Sequence, residues 1–263
     1  MKDNPNPETS KNHVGKTVRQ PASSHPHSLE SNDEIERLAT VYDKYRNSPS
    51  TQKAWSMANP GNQAIYTERH TGMQQLLQQE KSWPLDDYSI LEVGCGSGNV
   101  LAGFRQWGAQ SNSLHGIDLL PERIESAQKQ YPHLHFYCQN AEHLNFDNEC
   151  FDIVVIFTVF SSILDPAMAQ NVAGEIDRVL SPTGVILWYD FRYNNPRNPH
   201  VHGMNQSSIQ QLFPNYSNRL KTITLLPPLA RRLGKLTPIL YPLLSVIPPL
   251  RTHYLGLLQK PSP

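Results

Sequence analysis

Residues 91–99 read LEVGCGSGN, and the chain on either side shows what they join. SILEV (89–93) before them has the apolar run of a strand, and GNVLAGFRQWG (98–108) after them has helical spacing up to Gly108. A strand entering a glycine turn that opens a helix is the first unit of an open α/β sheet. Ligands bind beyond the carboxyl ends of such strands. Gly94, Gly96 and Gly98 let the backbone turn sharply and let a ligand approach with no Cβ in the way. A glycine triplet alone says little, but two details narrow it. The spacing is Gly-x-Gly-x-Gly followed by Asn99, not the Gly-x-Gly-x-x-Gly or Ala of the dinucleotide fingerprint. Glu92 also sets a carboxylate inside the strand end, where it repels a pyrophosphate and attracts a cation.

The alternation continues downstream. SLHGIDL (113–119) reads as a second strand, PERIESAQKQY (121–131) as a helix opened by Pro121, and LHFYCQN (134–140) as a third strand. FDIVVIFTVF (151–160) is an uninterrupted apolar run, as in a strand covered on both faces. AMAQNVAGEIDRVL (167–180) is a helix stopped by Ser-Pro-Thr-Gly, and GVILWYDF (184–191) a fifth strand. Strand and helix in turn imply a parallel, doubly wound sheet. Further on, SSIQQLF (207–213) is a short helix, and NRLKTITLL (218–226) and HYLGLLQK (253–260) suit an antiparallel pair at a sheet edge.

Before the sheet, residues 1–30 are rich in Pro, Asn, Ser and His and bury too little to offset ordering entropy, which predicts a disordered tail. Helix is expected from Ser31, where Ser31 and Glu34 have capping-box spacing, and on through residue 79 with a break at Asn59-Pro60-Gly61. Tyr42, Tyr45 and Trp55 there suit either helix packing or a cover over a ligand pocket. The chain divides on this reading into the tail (1–30) and one domain (31–263): a helical cover (31–88), a binding core (89–206) and edge strands (207–263). The last part holds a proline-rich insertion, 226–251.

The 263 residues balance 23 Lys and Arg against 23 Asp and Glu, which argues against a nucleic-acid binder held by phosphate contacts. Three scattered cysteines form neither a disulfide framework nor a zinc pair, so no metal is expected and a cytoplasmic setting fits. No apolar signal segment opens the chain.

Three stations after the glycine turn carry ligand chemistry. Asp118 ends the second strand, where a carboxylate accepts hydrogen bonds from both ribose hydroxyls, although it also suits the cap of the helix at Pro121. Leu119 follows it. Asn140, Ala141 and Glu142 follow the third strand, where an amide, a backbone N–H and a rim would meet an adenine. Phe157 ends the fourth strand near the reacting end.

Together LEVGCGSG, Asp118 and NAEHLNFDNECFD (140–152) resemble the class I S-adenosylmethionine-dependent methyltransferases, most nearly the small-molecule group that includes the ubiquinone and menaquinone methyltransferases. Asn140 stands where that family usually has Asp, and Asn145 where it has Pro. The resemblance covers roughly residues 89–190. It implies a seven-stranded, mostly parallel Rossmann-like sheet with an antiparallel last strand, and S-adenosylmethionine as cofactor. The expected reaction is in-line methyl transfer to a small molecule, with oxygen favoured as acceptor atom. The loop after the fifth strand offers Tyr189, Asp190, His200 and His202 as candidate bases, with Asp190, His200 and His202 favoured as catalytic. A short-chain NAD-dependent oxidoreductase is disfavoured by Glu92 and the glycine spacing, and a binding module without turnover is the alternative. A nucleobase-amine methyltransferase would be expected to carry Pro-Pro-Tyr or Pro-Pro-Trp after the fourth strand, where this chain has Phe157-Thr158-Val159-Phe160. The 226–251 insertion suits a lid, a packed helical insertion, or a peripheral membrane contact with Arg231, Arg232 and Lys235 toward headgroups.

Overall fold

A computed structural model describes residues 29–81 and 83–261. The expected tail lies outside the described residues as far as residue 28, and its last two positions already belong to helix α1 (Leu29–Asn47). Ser31 is therefore inside a helix, not at its cap. Glu34 has a different task from the one its spacing predicts: it receives Arg37 Nε at 2.6 Å and the Leu164 N–H at 2.6 Å, pinning α1 to the loop after the fourth strand.

Helices α2 (Pro49–Trp55) and α3 (Pro60–Glu80) follow, each with proline in its first turn and a Ser or Asn cap before it. The sheet is formed by β1 (Ile90–Val93), β2 (Leu114–Asp118), β3 (His135–Cys138), β4 (Phe151–Phe157), β5 (Leu180–Phe191), β6 (Ser217–Leu225) and β7 (Arg251–Gln259). Their order is β3-β2-β1-β4-β5-β7-β6. The first five strands are parallel, and β7 lies antiparallel between β5 and β6. The chain reverses its direction of winding between β1 and β4, which opens a crevice at their carboxyl ends.

Residue parity sorts the core. Leu91, Val93, Val154, Ile156 and Trp188 face one side, under α6 (Pro166–Val179) and α7 (Gln206–Leu212). Ile90, Ile153, Val155, Leu187 and Tyr189 face the other, under α3 and α4 (Asn99–Gly103). The helix expected over 98–108 is shorter, since the chain tightens into a 3-10 turn at Phe104–Trp107. Helix α5 (Pro121–Gln130) joins β2 to β3. The 226–251 insertion folds as α8 (Pro227–Arg232) and α9 (Thr237–Ser245), both packed on α3. Among the described residues no helix is long and apolar enough to cross a membrane.

Candidate cofactor and acceptor site

At the end of β1 the backbone turns through Gly94, Gly96 and Gly98 with φ of 70°, 54° and 78°. A side chain there is strained, and at two of the three it would also collide. A Cβ on Gly98 would sit 2.5 Å from Phe136 Cζ, and one on Gly94 2.8 Å from Val159 Cγ2. The turn is tied down by its neighbours. Cys95 donates to the Ile117 carbonyl at 2.8 Å, and Gly96 donates to Asp118 Oδ2 at 2.9 Å. Asp118 Oδ1 accepts from the Leu120 N–H at 3.0 Å. Asp118 is thus a clasp between the two turns and not the cap of α5, which has Leu120 at that place and no side-chain cap.

Above this floor lies a cavity of about 300 Å³ bordered by Gly94, Asp118, Leu119, Asn140, Ala141 and Phe157. Leu38 and Tyr42 of α1 and Trp55 of α2 close its other side. Leu119, Ala141, Ile163, Met168 and Val172 give part of it an apolar lining suited to a flat base. The Asn140 amide is turned back on its own loop: its Oδ1 accepts from the Glu142 N–H and its Nδ2 donates to Glu142 Oε2, both at 3.0 Å. Glu142 is buried, does not border the cavity, and also receives Asn171 at 3.0 Å.

A second lobe, sharing Tyr42, Trp55, Gly94 and Phe157 with the first, reaches Glu92, Gly96 and Arg69. Glu92 accepts from the Leu101 N–H at 2.9 Å, yet burial pushes its carboxyl up to about 8 against that bond and the pull of Arg69. Near neutral pH a carboxyl so placed gains its charge readily when a cation arrives beside it. A buried carboxyl bordering this lobe is a donor set whose chemistry fits an ammonium-bearing ligand.

A further cavity of about 710 Å³ shares Tyr42, Trp55 and Thr158 with both lobes. Tyr189, Phe191 and His253 stand in its wall, with Arg69 and Arg231. The Arg69 guanidinium lies 5.2 Å from the Phe157 ring and 5.3 Å from the Tyr189 ring. His253 stacks on Tyr189 with centroids 4.6 Å apart, and its Nδ1 lies 2.9 Å from Thr252 Oγ1. That hydroxyl has the Thr224 carbonyl at 3.3 Å as an acceptor, an arrangement in which Nδ1 donates to Oγ1 and Nε2 keeps its lone pair. Burial, then the Arg69 charge, hold His253 down at about 3, so the ring is neutral.

Of the four residues offered as bases, Tyr189 borders the larger cavity, while Asp190, His200 and His202 do not. His200 borders a shallow surface hollow with Asp33, Glu36 and Lys44 on α1. His202 hydrogen-bonds through its backbone to the Ser161 carbonyl at 2.9 Å and borders neither cavity. Asp190 is fully buried on the opposite strand face from Tyr189, receiving the Ser161 N–H at 3.0 Å and the Phe191 N–H at 2.7 Å. Burial raises it to about 6, but it faces no cavity.

Residues 90–184 match the family described as a methyltransferase domain. That stretch is a methyltransferase domain. The chain is 37% identical over 125 residues to the phthiotriol/phenolphthiotriol dimycocerosates methyltransferase of Mycobacterium leprae (strain TN), covering 47% of this chain and 45% of that one. It is 31% identical over 133 residues to the tRNA N(3)-cytidine methyltransferase METTL2 of Gallus gallus, covering 46% and 36%. The matches thus span less than half of either relative. The fold is shared with the geranyl diphosphate C-methyltransferase of Streptomyces coelicolor A3(2), with a TM-score of 0.60 at 12% identity over 90% of this chain and 100% of that one.

Among the residues that line these cavities, Leu38, Arg69 and His253 gave no signal in the sequence as site residues, and Arg231 gave one only as a headgroup contact. Each comes from an element remote from the glycine turn. Tyr42 and Trp55 did give one, as aromatic residues that suit a cover.

Proposed function

We propose that the protein transfers a methyl group from S-adenosylmethionine to a hydroxyl oxygen of a small, largely apolar acceptor. The observation that carries this is the shared wall of Tyr42, Trp55 and Thr158 between the cofactor lobes and the aromatic cavity. The cofactor, when bound, supplies a methyl carbon already activated by a sulfonium, so the chain's task is alignment, exclusion of water and handling of one proton. Glu92 holds the ammonium and Asp118 the ribose hydroxyls. Leu119 and Ala141 flank the base beside Asn140, which Glu142 fixes from behind. Gly94, Gly96 and Gly98 give the close approach, and Phe157 borders the reacting end.

In the acceptor cavity it is His253, and not His200, His202 or Asp190, that meets the acceptor. Its Nε2 accepts the hydrogen bond of the acceptor hydroxyl and orients the oxygen toward the cofactor lobe. As the new bond from oxygen to the methyl carbon forms and the carbon–sulfonium bond breaks, the hydroxyl proton becomes strongly acidic and passes along the Nε2 hydrogen bond to solvent; with so low a proton affinity the ring does not keep it, and its own titration leaves turnover flat from pH 5 to 9. Aromatic walls and a cavity of about 710 Å³ suit a small molecule better than a tRNA, the substrate of one relative.

The test uses cofactor labelled in the methyl group, incubated with a cell extract and the purified protein. Label is expected in organic-soluble products. Label in RNA would sink the acceptor reading. His253→Phe keeps the stacking on Tyr189 and is expected to lower turnover about 10- to 100-fold, the scale of one lost hydrogen bond to a reacting group, with cofactor affinity unchanged. His200→Ala is expected to retain wild-type turnover.

A further inference from the structure

The carboxyl-terminal part of the chain has a charge and burial pattern that methyl transfer does not use. All 23 Asp and Glu residues lie at or before Asp190, while nine of the 23 Lys and Arg residues follow it. The zero net charge therefore hides an acidic front and a basic back. Within that back, α9 is turned inside out. Thr237, Tyr241 and Ser245 are its buried positions, and Tyr241 donates to Glu68 at 2.7 Å. Leu236, Ile239, Leu243 and Val246 are 57%, 64%, 62% and 67% exposed. Steps of three and four residues put these four on one helical face. A helix of a water-soluble domain normally buries such a stripe. Arg232 and Lys235 stand exposed at the head of the stripe.

We propose that the α8–α9 face docks on the surface of an anionic lipid bilayer, with Ile239, Leu243 and Val246 entering the interface and Arg232 and Lys235 meeting headgroups. Bare aliphatic side chains beside basic ones match such a surface. They match an RNA poorly, because the stripe offers neither rings to stack nor polar groups to pair. A second copy fits less well, because a two-fold contact would set this basic patch against itself. Helix α8 also supplies Pro227 and Arg231 to the acceptor cavity, so docking sets that cavity beside the lipid. This last step rests on the apolar-acceptor reading; the docking does not.

Co-sedimentation of the full chain with vesicles tests the proposal. Partition is expected to be about tenfold or more higher on vesicles containing phosphatidylglycerol than on pure phosphatidylcholine, and to fall at high salt. The triple variant Ile239→Ser, Leu243→Ser, Val246→Ser is expected to lose about tenfold or more of its partition while binding S-adenosylmethionine as the wild type does, which shows that it is folded. Wild-type protein that ignores anionic vesicles, or a triple variant that sediments as well as wild type, overturns the proposal. So does a dimer by light scattering that the triple variant breaks when no vesicle binding is seen. Docking that fails while turnover on a detergent-dispersed acceptor persists refutes the docking alone. Failed turnover with intact vesicle binding refutes only the proposed reaction.

Discussion

Titration with S-adenosylmethionine near pH 7 should release close to one proton per cofactor bound. The proton comes from Glu92. Burial holds this carboxyl up at about 8 in the free protein, so it is mostly protonated at pH 7. An ammonium arriving beside it favours the carboxylate and expels the proton. The sign follows from linkage: where binding releases a proton, affinity rises with pH, here by up to tenfold per unit below about 8. The rise stops near 8, where Glu92 is already ionised and the ligand's own amine begins to lose its charge. Calorimetry in buffers of different ionisation enthalpy counts the proton directly. The Glu92→Gln variant should bind with no proton release and with weaker, pH-independent affinity below pH 8. A wild-type titration with no proton released would show that Glu92 does not meet the ammonium.

The second large effect is expected at Asp118. Its carboxylate borders the cofactor cavity while holding the N–H groups of Gly96 and Leu120, and on the proposed reading it also receives the ribose hydroxyls. Asp118→Ala should weaken cofactor binding by about 2–3 kcal/mol, the scale of hydrogen bonds to a charged acceptor. That corresponds to roughly 30- to 150-fold in dissociation constant. The Gly96 N–H also loses its partner, so the turn should loosen and its amide should exchange faster with solvent. Unchanged affinity would remove the ribose assignment and leave Asp118 only as a clasp.

The fold was legible where one local rule decides. The glycine spacing after SILEV, the apolar run of β4 and the alternation of strand and helix each report backbone geometry within a few residues. The antiparallel edge was legible because SNRLKTITL and RTHYLGLLQ have strand composition with a non-strand segment between them. The acceptor side was not legible, and β5 shows why. Tyr189 and Asp190 are adjacent in the chain, yet strand parity sends one to the acceptor cavity and the other beneath the turn after β4. The loop histidines are near Asp190 in sequence, but the imidazole that reaches the cavity is His253. It pairs with Phe191 in the β5–β7 register, 62 residues further along the chain. Arg69 illustrates the same limit: α3 has no motif around it, and only the packing of α3 against β6 and β7 brings it between Phe157 and Tyr189. The capping-box spacing at Ser31 misled because Glu34 finds a better partner across the fold in the Leu164 N–H.

The most direct test is equilibrium binding of S-adenosylhomocysteine and NAD to the same purified sample, measured side by side. The account predicts saturable binding of S-adenosylhomocysteine that competes with S-adenosylmethionine, and no binding of NAD at far higher concentration. Saturable NAD binding with S-adenosylhomocysteine ignored would contradict it, because a buried carboxyl at Glu92 and a clasp at Asp118 would then be facing a pyrophosphate.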